Sequence, residues 1–291
     1  MFKKLLMISA MPMIPVLFTQ AVYGEAHSGG PTLTGYALAN DGASVVVMPD
    51  LADPATAMSQ DLDNAVAAIA YRPVTGDLLG FGAGMIYTID PMTGMMSDLS
   101  ASFMDDAMID DDAMVGFDFN NAIDAVRAVS TAGDNLVYFP DGFGDNDERA
   151  NSVRRFTTLA YEDGDANAGT TPMVFANAYT NAINGMTASE TFQYALDAET
   201  DSLVSLANNA GMLATIAEVT VDGMAVDLAP MGGFDIASPA EGENMAYAIL
   251  QMEGAETAGL YSIDLESGAA EMLADLGMGG VTGFAVAVAG Q

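Results

Sequence analysis

The chain has 291 residues, 51% hydrophobic and 16% charged, with a formal net charge of −33, one His and no Cys. The absence of thiols removes Cys nucleophiles, Cys-ligated zinc and redox pairs, and the lone His27 cannot supply a His-dependent triad or a His metal cluster. Forty carboxylates against seven Lys and Arg exclude nucleic acid as a partner, because neutralising phosphates needs a basic footprint, and disfavour anionic membrane surfaces.

At the N-terminus, Lys3 and Lys4 precede a 14-residue apolar run, Leu5 to Phe18, and then a polar stretch with small residues near Gly24 and Ala26. A secretory signal peptide has this order, and the run, interrupted by Pro12 and Pro15, is short for a membrane span. The sequence therefore predicts a signal peptide over residues 1–24, cleaved after Gly24 or Ala26, and a disordered stretch over 25–33. A single domain over 34–289 follows, exported to the periplasm or outside the cell, with no membrane span after cleavage. Both Lys leave with such a leader. Only Arg72, Arg127, Arg149, Arg154 and Arg155 then face the carboxylates, and the net charge becomes about −35. That acidity suits solubility in saline surroundings; the sharper reading is binding of divalent cations. A domain of this size can bury a sufficient core without disulfides.

Next in the chain, GYALAN (Gly35 to Asn40) and Ser44 to Met48 read as strands. The stretch Val66 to Leu99 shows the repeating unit. Val66 to Tyr71 and Leu78 to Phe81 flank a Val74-Thr75-Gly76-Asp77 turn, and Ile86-Tyr87-Thr88-Ile89 leads into Asp90, whose carboxylate can bond amides ahead of it. Gly94 supplies the positive φ that ends that turn, and Met95 to Leu99 returns as the outer strand. Leu260-Tyr261-Ser262-Ile263-Asp264, with Ser267-Gly268 behind it, repeats the pattern. Inner-strand segments start at Val66, Val115, Met173, Met231 and Val281, spaced by 49, 58, 58 and 50 residues. A familiar four-stranded propeller blade repeats at roughly 40–45 residues, so the surplus is assigned to acidic and Gly-rich loops. Met104 to Asp112 and Met212 to Val219 leave room for a turn of helix. The fifth copy ends at Ala289, short of its outer strands, and the N-terminal strands supply what it lacks. The prediction is an all-β fold, a β-propeller of five blades, closed by N- and C-terminal strands sharing one blade. Six blades, a β-sandwich and an open β-solenoid are the alternatives.

Two acidic loops stand out. Asp105-Asp106 and Asp110-Asp111-Asp112 flank Ala107-Met108-Ile109. In the second, Asp141, Asp145, Asp147 and Glu148 place oxygen ligands among glycines, as calcium loops do, without the full EF-hand spacing. Calcium is thus the one candidate cofactor; the competing reading is a solvated loop in which Arg149, Arg154 and Arg155 pair with those carboxylates. Arg72 and Arg127 lie at or within apolar strands, where a guanidinium needs carboxylates or carbonyls as partners. Asp118 and Asp235, in the repeated Gly-Phe-Asp units, are candidates. The choice lies between inter-blade salt bridges and an anion-binding position at the mouth of a central channel. The 22 Met suggest soft copper(I) binding, or simply core filling at positions where Leu or Ile would serve.

The segments AIAYRPVTGDLLGFG, IYTIDPMTG, VGFDFNNAIDAVRAVSTAGDNL, GDANAGTTPMVFANAYTN, GGFDIAS and LYSIDLESG together resemble a family of exported bacterial proteins known as domain of unknown function 4394 (DUF4394). The resemblance spans about Leu33 to Val288, and the run through Arg127 and Asn135 is its most specific part. It implies a propeller-like fold and export and brings no established activity. This chain departs from the pattern at Ala125, where relatives tend to carry Arg, and in a longer, more charged Phe143 to Arg155 region.

Three functions fit these constraints. The first is a non-enzymatic exported propeller that binds an unidentified protein or small molecule, or builds a cell-surface or extracellular assembly; Arg72, Asp118, Arg127, Asn135 and Asp235 are its channel candidates. The second is a calcium-dependent hydrolase with a carboxylate metal site in the channel. The third is a storage or matrix protein whose acidity binds cations in bulk. Asp and Asn converging on one point of the channel would mark the enzyme, and a channel plugged by Ala, Phe and Met the binding module.

Overall fold

A computed structural model of the chain describes residues 30–290, apart from 83 and 105, together with the strand Ile14–Pro15. The expected signal peptide over 1–24 lies outside the described residues apart from Ile14–Pro15, as do residues 25–29 and Asp105. Five sheets, each built on four antiparallel strands, stand around one axis. The second blade runs outward through Ala68–Arg72, Asp77–Gly82, Met85–Ile89 and Met96–Asp98. The third uses Val115–Asn120, Ala125–Ser130, Asn135–Phe139 and Ser152–Arg155, and the fourth Val174–Tyr179, Gln193–Asp197, Ser202–Leu206 and Met212–Glu218. The fifth is built from Leu228–Ala240, Glu243–Met252, Ala258–Ile263 and Ala269–Asp275.

The first blade closes the ring. Its innermost strand is Gly283–Val288, paired antiparallel with Leu33–Ala39 from Leu33↔Val288 to Leu38↔Gly283; Ser44–Met48, Met58–Asp61 and the short Ile14–Pro15 follow outward. The two chain ends therefore share one sheet, and neighbouring inner strands touch all the way round. All five repeated segments are inner strands. The surplus length over a minimal blade is partly strand rather than loop. Ser102–Phe103, Ala160–Tyr161 and Thr220–Val221 each add a short parallel strand outside the next blade. Met212–Glu218, where a helical turn had room, is the fourth blade's outer strand, and the helical turns are 3-10 turns at Pro54–Thr56 and Asn208–Ala210.

The repeated turn forms as its residues dictate. Asp90 Oδ1 accepts the Met92 N–H at 2.9 Å, the Asp90 carbonyl accepts the Gly94 N–H at 2.8 Å, and Gly94 has φ +72°. Asp264 and Gly268 repeat it, with the Gly268 N–H 2.9 Å from the Asp264 carbonyl and φ +68°.

The core is a set of seams between blades, because each sheet face packs on its neighbour. Alternation along the inner strands sets what each seam receives. Phe117 and Phe119 pack with Ala68, Ala70, Leu79 and Phe81 of the second blade, while Asp118 between them turns to the fourth. Phe234 and Ile236 likewise pack against Phe175 and Ala178, and Asp235 turns to the closing blade. No helix among the described residues is long and apolar enough to cross a membrane.

Candidate functional site

The five inner strands converge so tightly that the axis is almost filled. Phe117, Phe234, Phe284, Ile69 and Asn177 line a cavity of about 10 Å³, at the lower limit of what one water needs. Asn177 is 1% exposed, and neither its amide nitrogen nor its oxygen has a partner among the described residues. Asp118 and Asp235 do not meet in a channel. Asp118 Oδ2 accepts the Tyr179 N–H of the fourth blade at 2.6 Å. Asp235 repeats this one seam pair further on, with Oδ2 accepting the Val286 N–H and Oδ1 its neighbour Ile236 N–H, both at 2.6 Å. Each carboxylate latches one inner strand to the next. Burial pushes the Asp118 pKa well up, and the charge of Asp235 adds to it. Burial raises Asp235 to about 7 against the opposing pull of its two N–H donors.

Arg127 sits beside Asp118 in the sheet, one strand further out. Its Nε donates to the Tyr179 hydroxyl at 2.8 Å, one terminal nitrogen to Asn135 Oδ1, and the other to Asn209 Oδ1 at 2.8 Å. The Phe156 ring centroid lies 5.8 Å away. Asn135 in turn donates to the carbonyls of Thr157 and Asn208, each at 3.0 Å. Arg127 and Asn135 are thus brought together, and Asp118 joins them through Tyr179, whose backbone serves the acid and whose hydroxyl serves the base. Burial pushes the Tyr179 pKa up to about 12, with Arg127 pulling the other way. Arg127 has no carboxylate within 4 Å among the described residues, so neutral amides and a phenol solvate it. Tyr179, Asn208 and Asn209 are not among the sequence candidates; the polar Asn pair between two apolar strands is the signal that points to them. Arg127 is 4% exposed and Asn135 and Tyr179 are fully buried, while Asn208 and Asn209 cover them from the exposed surface.

Arg72 forms an inter-blade salt bridge, with a partner other than the expected Asp118 or Asp235. Its Nε and terminal nitrogen bond both oxygens of Asp124 in the third blade, at 2.8 and 2.5 Å. The bidentate geometry is the strong form of this interaction, and it raises the Arg72 pKa. Asp124→Asn is expected to lower unfolding stability by about 1 kcal/mol, since the pair is only partly exposed; a urea midpoint unchanged within error would show that the bridge contributes nothing.

The loop weighed as a calcium site follows its competing reading, with arginines paired to its carboxylates. Asp147 receives the Arg149 guanidinium at 2.6 and 2.9 Å, which holds the Asp147 pKa at about 2. Arg149 lies over both Phe139 and Phe143, 4.9 Å from each centroid. Glu148 pairs with Arg154 at 3.6 Å. Among the described residues no three such side chains come together to hold a metal ion, so Asp141, Asp145, Asp147 and Glu148 do not form the expected cluster.

The other acidic loop borders a second cavity, about 590 Å³, where the segments entering the second and third blades meet. Phe81, Phe103, Met108, Ile109, Val66 and Val115 give it apolar walls, and Asp41, Asp110 and Asp111 also line it. Phe81 and Phe103 pack at 6.1 Å between centroids. Arg155 fixes the loop, donating to the carbonyls of Asp106 and Met108 while its other terminal nitrogen holds Asp134 Oδ1 at 2.6 Å.

The family model described as domain of unknown function (DUF4394) matches residues 49–285. The chain belongs to the DUF4394 family. Among curated proteins, none matches the DUF4394 chain. The solved structures similar to it match at low identity. An auxiliary nutrient binding protein from Bacteroides thetaiotaomicron is 12% identical, with TM-score 0.42, covering 73% of this chain and 55% of that one. One from Bacteroides ovatus is 14% identical, with TM-score 0.40 and the same coverages. A putative 6-phosphogluconolactonase from Bacteroides uniformis is 13% identical, with TM-score 0.37, covering 84% and 82%. The DUF4394 chain thus spans about half the length of the first two.

Proposed function

We propose that this DUF4394 propeller is an exported, non-enzymatic binding module that takes its ligand in the 590 Å³ cavity between the second and third blades. The observation that carries this reading is the contrast between two spaces. The axis, where propeller active sites would gather carboxylates, is filled by Phe117, Phe234 and Phe284, and Asp118 and Asp235 are committed to backbone N–H groups. The off-axis cavity has the size and the mixture of apolar wall and few polar groups that suit a small ligand. Export rests on the order of charges and apolar residues at Lys3 to Phe18.

N-phenyl-1-naphthylamine, a neutral apolar fluorophore, tests the cavity directly. Its emission is expected to rise saturably with about one probe per chain. Ile109→Trp, which puts a bulky ring into the cavity, should weaken binding at least about tenfold while leaving the circular dichroism spectrum unchanged. A rise that stays linear with probe concentration, or is identical in the variant, would overturn the assignment.

A further inference from the structure

The cavity brings an apolar wall and unpaired negative charge to one place. Asp41, Asp110 and Asp111 are all exposed, and none forms an ion pair among the described residues. Nothing within the described chain is available to neutralise them. Arg72, Arg149, Arg154 and Arg155 are each paired with a carboxylate elsewhere, and Arg127 is buried in its own seam. Lys is confined to positions 3 and 4.

We infer that this cavity binds an amphipathic organic cation, an amine or quaternary ammonium carried on an aromatic or aliphatic body. The inference rests on the binding reading above and specifies its ligand class. An anion entering the cavity would meet three uncompensated carboxylates within a chain of net charge −33. A bare divalent cation needs several oxygens at one point, and no such group of three exists among the described residues. An organic cation needs no inner coordination sphere. Its apolar body covers the Phe81, Phe103 and Ile109 side, and its diffuse charge faces the carboxylates and the aromatic rings, which attract cations by their quadrupole. Met108, 52% exposed at the cavity, offers a flexible, polarizable surface that adapts to the body's shape.

Calorimetric titration of the purified protein with benzyltrimethylammonium, benzyl alcohol and benzoate separates the terms. Each exposed ion pair contributes a factor of up to about five, and with three carboxylates lining the cavity the cation is expected to bind about tenfold more tightly than the alcohol at low salt. Benzoate should give no binding heat, and the cation's advantage should shrink as salt screens the carboxylates. Asp110→Asn combined with Asp111→Asn removes two charges that have no ion-pair partner in the described fold, and should reduce the advantage to about threefold or less. Equal affinity for cation and alcohol, with N-phenyl-1-naphthylamine still saturating, would overturn the cation assignment and leave the binding reading standing. Cation binding unaffected by the double variant and by Asp41→Asn would place it elsewhere and equally overturn the inference. No saturable binding of either the fluorophore or the cation would end both readings.

Discussion

The protein is expected to lose stability as pH rises from about 4 to about 7, because the buried carboxylates Asp235 and Asp118 hold protons that the unfolded chain releases. Asp235 has a folded-state pKa near 7, because burial penalises its charged form more than the Val286 and Ile236 N–H groups favour it. In the unfolded chain it titrates near 3.9. Between those values the folded protein holds a proton that the unfolded chain has released. The unfolded state therefore binds fewer protons, and unfolding free energy falls with pH. The stabilisation is fully present below about pH 4 and lost by the time pH passes about 7. Asp118, also raised by burial and by the charge of Asp235, acts in the same direction. Asp147, Glu241 and Asp264 act oppositely: Arg149, Ser189 and Ser267 respectively bond their ionised forms and hold their pKa values down, so their support fades as pH falls through the acid range. Stability should thus peak on the acid side of neutrality.

Asp235→Asn separates this titration from loss of the latch. An amide keeps one acceptor oxygen but turns an NH₂ group toward the second backbone N–H, at a cost of about 1–3 kcal/mol. The variant should be less stable than the parent at pH 4 and equal to it or more stable at pH 8, with the two stability profiles crossing between. Parallel pH profiles, with no crossing, would show that Asp235 is ionised throughout and that its two N–H bonds outweigh its burial.

What the sequence made legible is the part of the fold written in local pattern. The Asp90–Gly94 and Asp264–Gly268 turns need only their own residues, and the inner strands recur because every blade solves the same packing problem at the axis. The latches keep that period: Asp118 reaches a residue 61 positions on and Asp235 one 51 positions on, each about one blade away. Partners that lie across a seam without such a repeat stayed hidden. Asp124, which holds Arg72, is a turn residue 52 positions away, and Asn209, which holds Arg127, is 82 positions away. Asp147 looked like a cation ligand because spacing alone does not reveal that Arg149 is clamped over Phe139 and Phe143. The large cavity has no sequence signature at all. It forms where the turn at Asp41, the strand end at Gly82 and the Met108–Asp111 loop happen to leave space between blades.

Gly233→Ala is expected to be strongly damaging, costing about 3 kcal/mol or more and lowering the melting temperature by about 6 °C or more. A Cβ at this position would lie 2.4 Å from the Phe284 backbone nitrogen, 2.5 Å from Phe284 Cβ and 2.9 Å from the Gly283 carbonyl carbon. Those atoms belong to the neighbouring inner strand, so no side-chain rotation relieves the contact. That strand in turn packs on the second blade, where Gly283 faces the Ile69 nitrogen at 3.4 Å from an ideal Cβ. A shift made to accommodate the added methyl is therefore passed round a closed ring with about 10 Å³ of free space at its centre. Gly116, whose Cβ would sit 2.7 Å from Ala176 Cα and 2.8 Å from Asn177 N, should behave alike. Gly80→Ala is the control. There the clash is 2.9 Å, but with the Ile89 Cδ1 methyl at the end of a flexible side chain, and the expected cost is about 1 kcal/mol. Equal melting temperatures for Gly80→Ala and Gly233→Ala would mean that the inner strands can part cheaply, and that backbone contact at the axis does not hold the five blades together.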